Sequence, residues 1–148
     1  MADSPGIGAC HLACWRETYA PLLSPGFFGG RSAPDWSRVL ADPVPGQDVV
    51  IAEVDGEVVG LAHAVPSRDD PPVRPIELTT LYLRAARHGS GLGQALLDTV
   101  LGDRPASLWV AELNPRARRF YARNGFAPDG ARKTLAPWEG LVEVRLVR

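Results

Sequence analysis

The chain has 148 residues, 45% of them hydrophobic and 22% charged, with a formal net charge of −1. That length suits one domain, taken as 1–148, which buries roughly 70% of its extended surface and builds a core without disulfide staples. The near-neutral balance argues against a nucleic-acid binder that works through a basic face, and no apolar run approaches the length of a membrane helix.

The opening MADSPGIGACHLACW has neither a basic leader nor a long apolar run, so a cytoplasmic protein is expected. Residues 8–23 read as a helix with Leu12, Trp15, Tyr19 and Leu22 on one stripe. Cys10 and Cys14 lie one helical turn apart beside His11, which raises a metal site. Zinc would need further ligands, and His63 and His88 are isolated in sequence, so the reading is no metal and two free thiols packed under a helix.

SPGFFGGRSAP breaks that helix, and DWSRVLAD (35–42) makes a short second one with Asp35 as N-cap. Two β-branched runs within 48–65 meet at Asp55-Gly56, a type I′ hairpin signal. Four prolines make 66–75 a loop. IELTTLYL, 76–83, is a strand, followed by a glycine loop and a helix to about Leu101. SLWVAEL, 107–113, is a strand. Asn114 caps the next helix, with Pro115 in its first turn and Gly125 at its end. LVEVRLVR closes the chain as an alternating strand. The strand–helix–strand unit at 76–113 predicts a parallel crossover. The hairpin and tail add antiparallel partners, giving a mixed α/β sheet with helices on its faces.

The glycine loop ARHGSGLGQALLDTV carries glycines at 89, 91 and 93 and runs straight into a helix. Bare amides at a helix N-terminus favour an anion, so a phosphate is expected there. A P-loop is excluded because Gln94, not Lys, follows the last glycine. A dinucleotide fingerprint fits poorly: counted from Gly89 its sixth position is Gln94, and counted from Gly91 it is Leu96.

LYLRAARHGSGLGQALL resembles the acyl-CoA-binding segment of the GNAT superfamily of N-acetyltransferases, whose pattern falls on His88-Gly89-Ser90-Gly91-Leu92-Gly93. VAELNPRARRFYARNGF resembles that family's second segment through Asn114, Ala117, Phe120-Tyr121 and Gly125-Phe126. The likeness is strong over 76–127 and is of the small stand-alone bacterial type. One departure is His88, where the family has Arg or Gln.

The resemblance implies a mostly antiparallel sheet, helices on both faces, and a splayed parallel strand pair. It implies that amides from Gly89 through Ser90, Gly91, Leu92 and Gly93 to Gln94 hold the pyrophosphate of acetyl-CoA, the co-substrate, with His88 serving phosphate or solvent. The pantetheine arm would lie between strands 76–83 and 107–113, bonding the first strand's edge near Leu81 and Leu83. A bulge near Thr79-Thr80 would splay them. Asn114, besides capping its helix, would touch the arm.

The implied activity is direct transfer of acetyl to a primary amine. Tyr121 stands where the family has its general acid, and a phenol can protonate a departing thiolate. Glu77, on the strand leading to the thioester, is the candidate base, with a pKa raised by apolar strand neighbours; Glu112 and His63 are next in line. Trp15, Tyr19, Phe27, Phe28 and Trp36 crowd the first two helices, where core packing accounts for most of them and the acceptor pocket for one or two. The segment 128–140 would add a wall through Trp138. The partners are then acetyl-CoA and an amine, with no nucleic acid and no membrane, and a homodimer stays open beside a monomer. The alternatives are a non-catalytic acyl-CoA sensor of the same fold, disfavoured by Asn114 and Tyr121, and an unrelated nucleotide-binding domain.

Overall fold

The computed structural model describes residues 4–148. Helix α1 (Ser4–Tyr19) runs into a 3-10 turn (Ala20–Leu22), and α2 is Ser37–Ala41. Strands β1 (Asp48–Val54) and β2 (Glu57–Pro66) are followed by β3 (Ile76–Leu83), α3 (Leu92–Val100), β4 (Ala106–Ala111) and α4 (Pro115–Arg123). Strands β5 (Ala127–Leu135) and β6 (Leu141–Val147) close the described chain, joined by a 3-10 turn at Ala136–Trp138. The six strands form one sheet in the order β1-β2-β3-β4-β6-β5, antiparallel throughout except for β3 and β4.

The Asp55-Gly56 hairpin forms as expected, both residues taking the positive φ that a type I′ turn requires (53° and 78°). Asp35 is a correction: the N-cap is Trp36, with no side-chain cap bond, and the Asp35 carboxylate instead accepts the N–H of Ser37, the first helical residue, at 2.9 Å. Strand β5 is a correction. The sequence reading gave 128–140 only a wall through Trp138 and no strand, and APDGARKTL shows no alternation. It is a strand nonetheless, held by pairing with β6 and by Lys133 lying 4.2 Å over the Trp109 ring, while most of its residues remain exposed at the sheet edge.

One face of the sheet is covered by α3 and α4. Leu96, Leu97, Val100 and Leu101 pack there against Leu78, Leu108, Tyr121 and Phe126. Burying each large apolar side chain contributes about 1.5–3 kcal/mol. The other face is covered by α1 and α2, through Ile7, Cys10, Cys14 and Trp36 against Val58, Leu61 and Tyr82. Cys10 and Cys14 are free and buried.

Two irregularities in β3 position the site. His63 pairs with Thr80 and the adjacent Ala64 with Leu78, so Thr79 is an extra residue, a bulge where one was expected. The parallel ladder with β4 covers only Ile76–Ala106, Glu77–Ser107 and Leu78–Leu108. Beyond the bulge the two strands part.

Candidate functional site

A cleft of about 470 Å³ opens where β3 and β4 separate. Leu81, Tyr82 and Leu83 form its β3 side, the glycine loop closes one end, and α4 forms the opposite wall from Asn114 to Arg123.

The loop is shaped by its glycines. Gly89 and Gly91 take φ of 80° and 88°, and Gly91 is the N-cap of α3. The N–H groups of Gly89, Gly91, Gly93 and Gln94 have no protein acceptor among the described residues. Two of the loop amides are engaged within the loop itself. Ser90 turns inward: its N–H and hydroxyl both bond the Arg87 carbonyl. The Leu92 N–H points to the Ser90 hydroxyl at 3.4 Å while its side chain packs on the core. Neither residue lines the cleft.

His88 lines the cleft, but its Nε2 bonds the Leu83 carbonyl at 2.9 Å. Partial burial holds its pKa below the usual imidazole value. It thereby occupies one of the two β3 positions expected to bond the pantetheine arm. Gln94 is drawn across the loop, donating to Asp98 at 2.8 Å and to Asn124 at 2.7 Å, which ties α3 to the end of α4.

Asn114 caps α4 by accepting the Ala117 N–H at 3.1 Å and also lines the cleft. Tyr121 reaches the cleft from α4, and burial raises its pKa well above the ordinary phenol value. The hydroxyl is therefore protonated at neutral pH and can donate. Two phenols that the sequence reading did not connect to it stand nearby. Tyr19 and Tyr82 share a hydrogen bond of 2.9 Å, burial raises the pKa of both, and both act electrostatically on Tyr121 or are acted on by it. They are 63 residues apart in sequence, so no local pattern could join them.

Glu77 contradicts its expected electrostatics. It lies on β3 before the bulge, nearly buried, and the Arg68 guanidinium forks onto both carboxylate oxygens at 2.9 and 2.7 Å. That pairing outweighs burial and lowers its pKa instead of raising it. Glu77 does not line the cleft. Glu112 is paired with Arg132 at 3.0 Å. His63 bonds the Thr79 hydroxyl through Nδ1 at 2.9 Å, its Nε2 is buried without a protein partner, and burial and Arg68 lower its pKa.

Trp138 packs with Trp15, Tyr19, Phe27 and Phe28 at centroid distances of 5.1–6.1 Å. Arg31 lies over Phe27 and Trp138 and donates to the Pro137 carbonyl at 2.6 Å. Ser24 binds Glu139 through its N–H at 2.8 Å and through its hydroxyl.

The sequence reading also missed Arg116, Arg119 and Arg123, which line the cleft from α4. Their spacing of three and four was a visible signal for one helix face. Among the described residues, no cluster of His, Cys, Asp or Glu is placed to hold a metal, and no helix is long and apolar enough to cross a membrane.

Residues 45–128, more than half of the chain, match the family model described as an acetyltransferase (GNAT) domain. An uncharacterised N-acetyltransferase of Mycobacterium tuberculosis is 36% identical over 138 residues, 89% of this chain and 78% of the relative. A probable N-acetyltransferase of the same species is 29% identical over 146 residues, 94% and 83% of the two chains. Among solved structures, the PaiA N-acetyltransferase of Thermoplasma acidophilum in complex with coenzyme A superposes with a TM-score of 0.66 at 17% identity, covering 97% of this chain and 91% of that one. An aminoglycoside 6′-N-acetyltransferase complexed with coenzyme A gives 0.64 at 14% identity, covering 99% and 92%. These two likenesses concern the fold. The chain belongs to the GNAT family and is an N-acetyltransferase by class.

Proposed function

We propose that this member of the GNAT family moves the acetyl group of acetyl-CoA directly onto a primary amine. The observation that carries the reading is the cleft at the parted strands, with bare loop amides at one end and the Tyr121 hydroxyl on its wall. The amides of Gly89, Gly91, Gly93 and Gln94 receive the pyrophosphate at the N-terminus of α3. The arm lies along β3 beside Leu81 and under Asn114, in the space the bulge opens.

In the reaction the amine nitrogen lone pair attacks the thioester carbonyl carbon and the carbon–sulfur bond breaks. Tyr121 gives its proton to the departing sulfur and regains one from the nitrogen. Burial keeps the phenol protonated at neutral pH, so it enters the reaction as the donor, and only the phenolate left by that transfer takes the proton from nitrogen. Glu77 is ionised but engaged by Arg68, which makes it a poor direct base; it anchors the 66–75 loop to β3, and the amine enters the reaction already neutral.

Thermal shift with acetyl-CoA, NAD and ATP, followed by thiol release with an amine panel, tests this. Stabilisation by acetyl-CoA alone, with thiol released only when an amine is present, is the expected result. Stabilisation without thiol release across the panel would make the chain an acyl-CoA sensor, and no stabilisation would overturn both.

A further inference from the structure

Most arginines of this chain are engaged. Arg31, Arg68, Arg84, Arg104, Arg132, Arg145 and others bond carboxylates or carbonyls. Arg116, Arg119 and Arg123 are different: all three are exposed, none has a hydrogen bond or ion pair with the described residues, and all three line the cleft. The side chains of Arg38 and Arg87 are also exposed and unbonded but lie outside the cleft; a guanidinium that lines the cleft with its donors unpaired is available to an anion from outside the chain.

Their arrangement is ordered. They stand at i, i+3 and i+7 on one face of α4, a row about 10 Å long. The row faces the glycine loop along its length. Arg116 acts electrostatically on His88 at the loop's start, and Asn124, next to Arg123, accepts from Gln94 at its end. The loop already offers four bare amides and a helix N-terminus to one anionic group. The His88 ring is turned back onto its own strand, where Nε2 bonds the Leu83 carbonyl. Three full positive charges therefore remain opposite a subsite that is already supplied with donors.

We infer that Arg119 and Arg123, with Arg116 beside them, form a second anion subsite that grips the ribose 3′-phosphate of coenzyme A and makes the enzyme discriminate against donors that lack it. This rests on the transferase reading of the cleft. Besides the pyrophosphate, the 3′-phosphate is the one further anionic group such a donor carries, with a charge of about −1.5 to −2 at neutral pH. A row of this length is longer than a pyrophosphate, so its outer members need a separate partner. Charge-assisted forks to phosphate are strong enough to be felt at an exposed site, although salt weakens them.

The test is calorimetric binding of coenzyme A and of 3′-dephospho-coenzyme A to the parent and to the double variant Arg119→Gln/Arg123→Gln. The parent should bind coenzyme A about 30-fold more tightly than the dephospho form, and the preference should shrink as salt rises. The double variant should bind the two alike, with its affinity for the dephospho form unchanged. Each single variant should lose part of the preference, which guards against a poorly folded double variant. A parent that does not discriminate, or a variant that weakens both ligands equally, overturns the inference. Binding of neither ligand removes the transferase reading along with it, whereas discrimination without acetylation of any amine removes that reading and leaves the subsite standing.

Discussion

The two sides of the parted strands are built on opposite plans. The α3/α4 side is mostly backbone and unpaired charge: bare amides from one loop and three arginines from one helix, all within residues 88–123. The α1/α2 side is mostly side chain and already satisfied with itself. There Ser24 holds Glu139, Tyr19 holds Tyr82, Arg68 holds Glu77, and Arg145 holds both Asp69 and Asp129. One side leaves its polar groups for a partner from solution, and the other spends them on joining segments up to 115 residues apart. Where the polar groups are left free, the chemistry of the missing partner can be read from them. Where they are closed on each other, it cannot, and this is why the donor is identifiable and the acceptor is not.

The contrast can be broken or sharpened by substitution, starting with the largest effect. Tyr121→Phe should lower kcat about 100-fold or more while the dissociation constant for acetyl-CoA stays at the parental value. Thiol release and calorimetry measure the two quantities, and an equal loss in both would make the hydroxyl a donor-binding group. On the opposite side, burial pushes the His11 pKa down to about 4, while Trp36 donates its indole N–H to His11 Nδ1 at 3.2 Å. As pH falls, the unfolded chain takes up this proton first, near pH 6.5, and the folded one only near 4. Stability should therefore drop between those values by about 3 kcal/mol. Urea unfolding at stepped pH should show this fall, and His11→Gln should flatten it.

Gly93→Val should weaken coenzyme A binding about 30-fold through lost amide contacts. Its melting temperature should hardly move, because the added carbon would meet only Leu83 Cδ2 at 3.8 Å. Gly91→Val should lose stability as well, since its φ of 88° strains any branched residue. A Gly93→Val enzyme with parental affinity would remove the loop from the donor site. The smallest effect belongs to Glu77→Gln, which should stay within about threefold of the parental rate on amines that arrive neutral. Arg68 is two-thirds exposed, so the lost pair should cost only about 1 kcal/mol. A rate loss near 100-fold would return the carboxylate to the role of base.

The same division explains what was legible. The hairpin at Asp55-Gly56, the cap at Asn114 and the loop at 89–93 each depend on backbone demands that a few neighbouring residues announce. Strand β5 announces nothing, because its stability comes from β6 and from Trp109 beneath Lys133. The internal bonds of the Ser90 and Leu92 amides were hidden for a finer reason. A glycine pattern marks which amides can be bare, but which of the intervening ones are consumed inside the turn depends on its three-dimensional closure. The lowered pKa of Glu77 was out of reach because Arg68 sits across a proline-rich loop, whose path no spacing rule describes.

Thr79 has a consequence beyond parting two strands. In an uninterrupted strand, residues three apart point to opposite faces. Leu78 and Leu81 nevertheless pack on the same core, and Tyr82 turns to the α1 side to meet Tyr19. The extra residue resets the alternation, so that one strand is in phase with one layer before it and with the other layer after it. If the same residues ran as an uninterrupted strand, with Thr79 taking a regular place in the ladder, Leu81 would be turned toward α1 and Tyr82 toward the apolar core. What this segment specifies is where the ladder absorbs its extra residue: the bulge, more than the identity of the threonine in it, sets which side of the molecule each later group can serve.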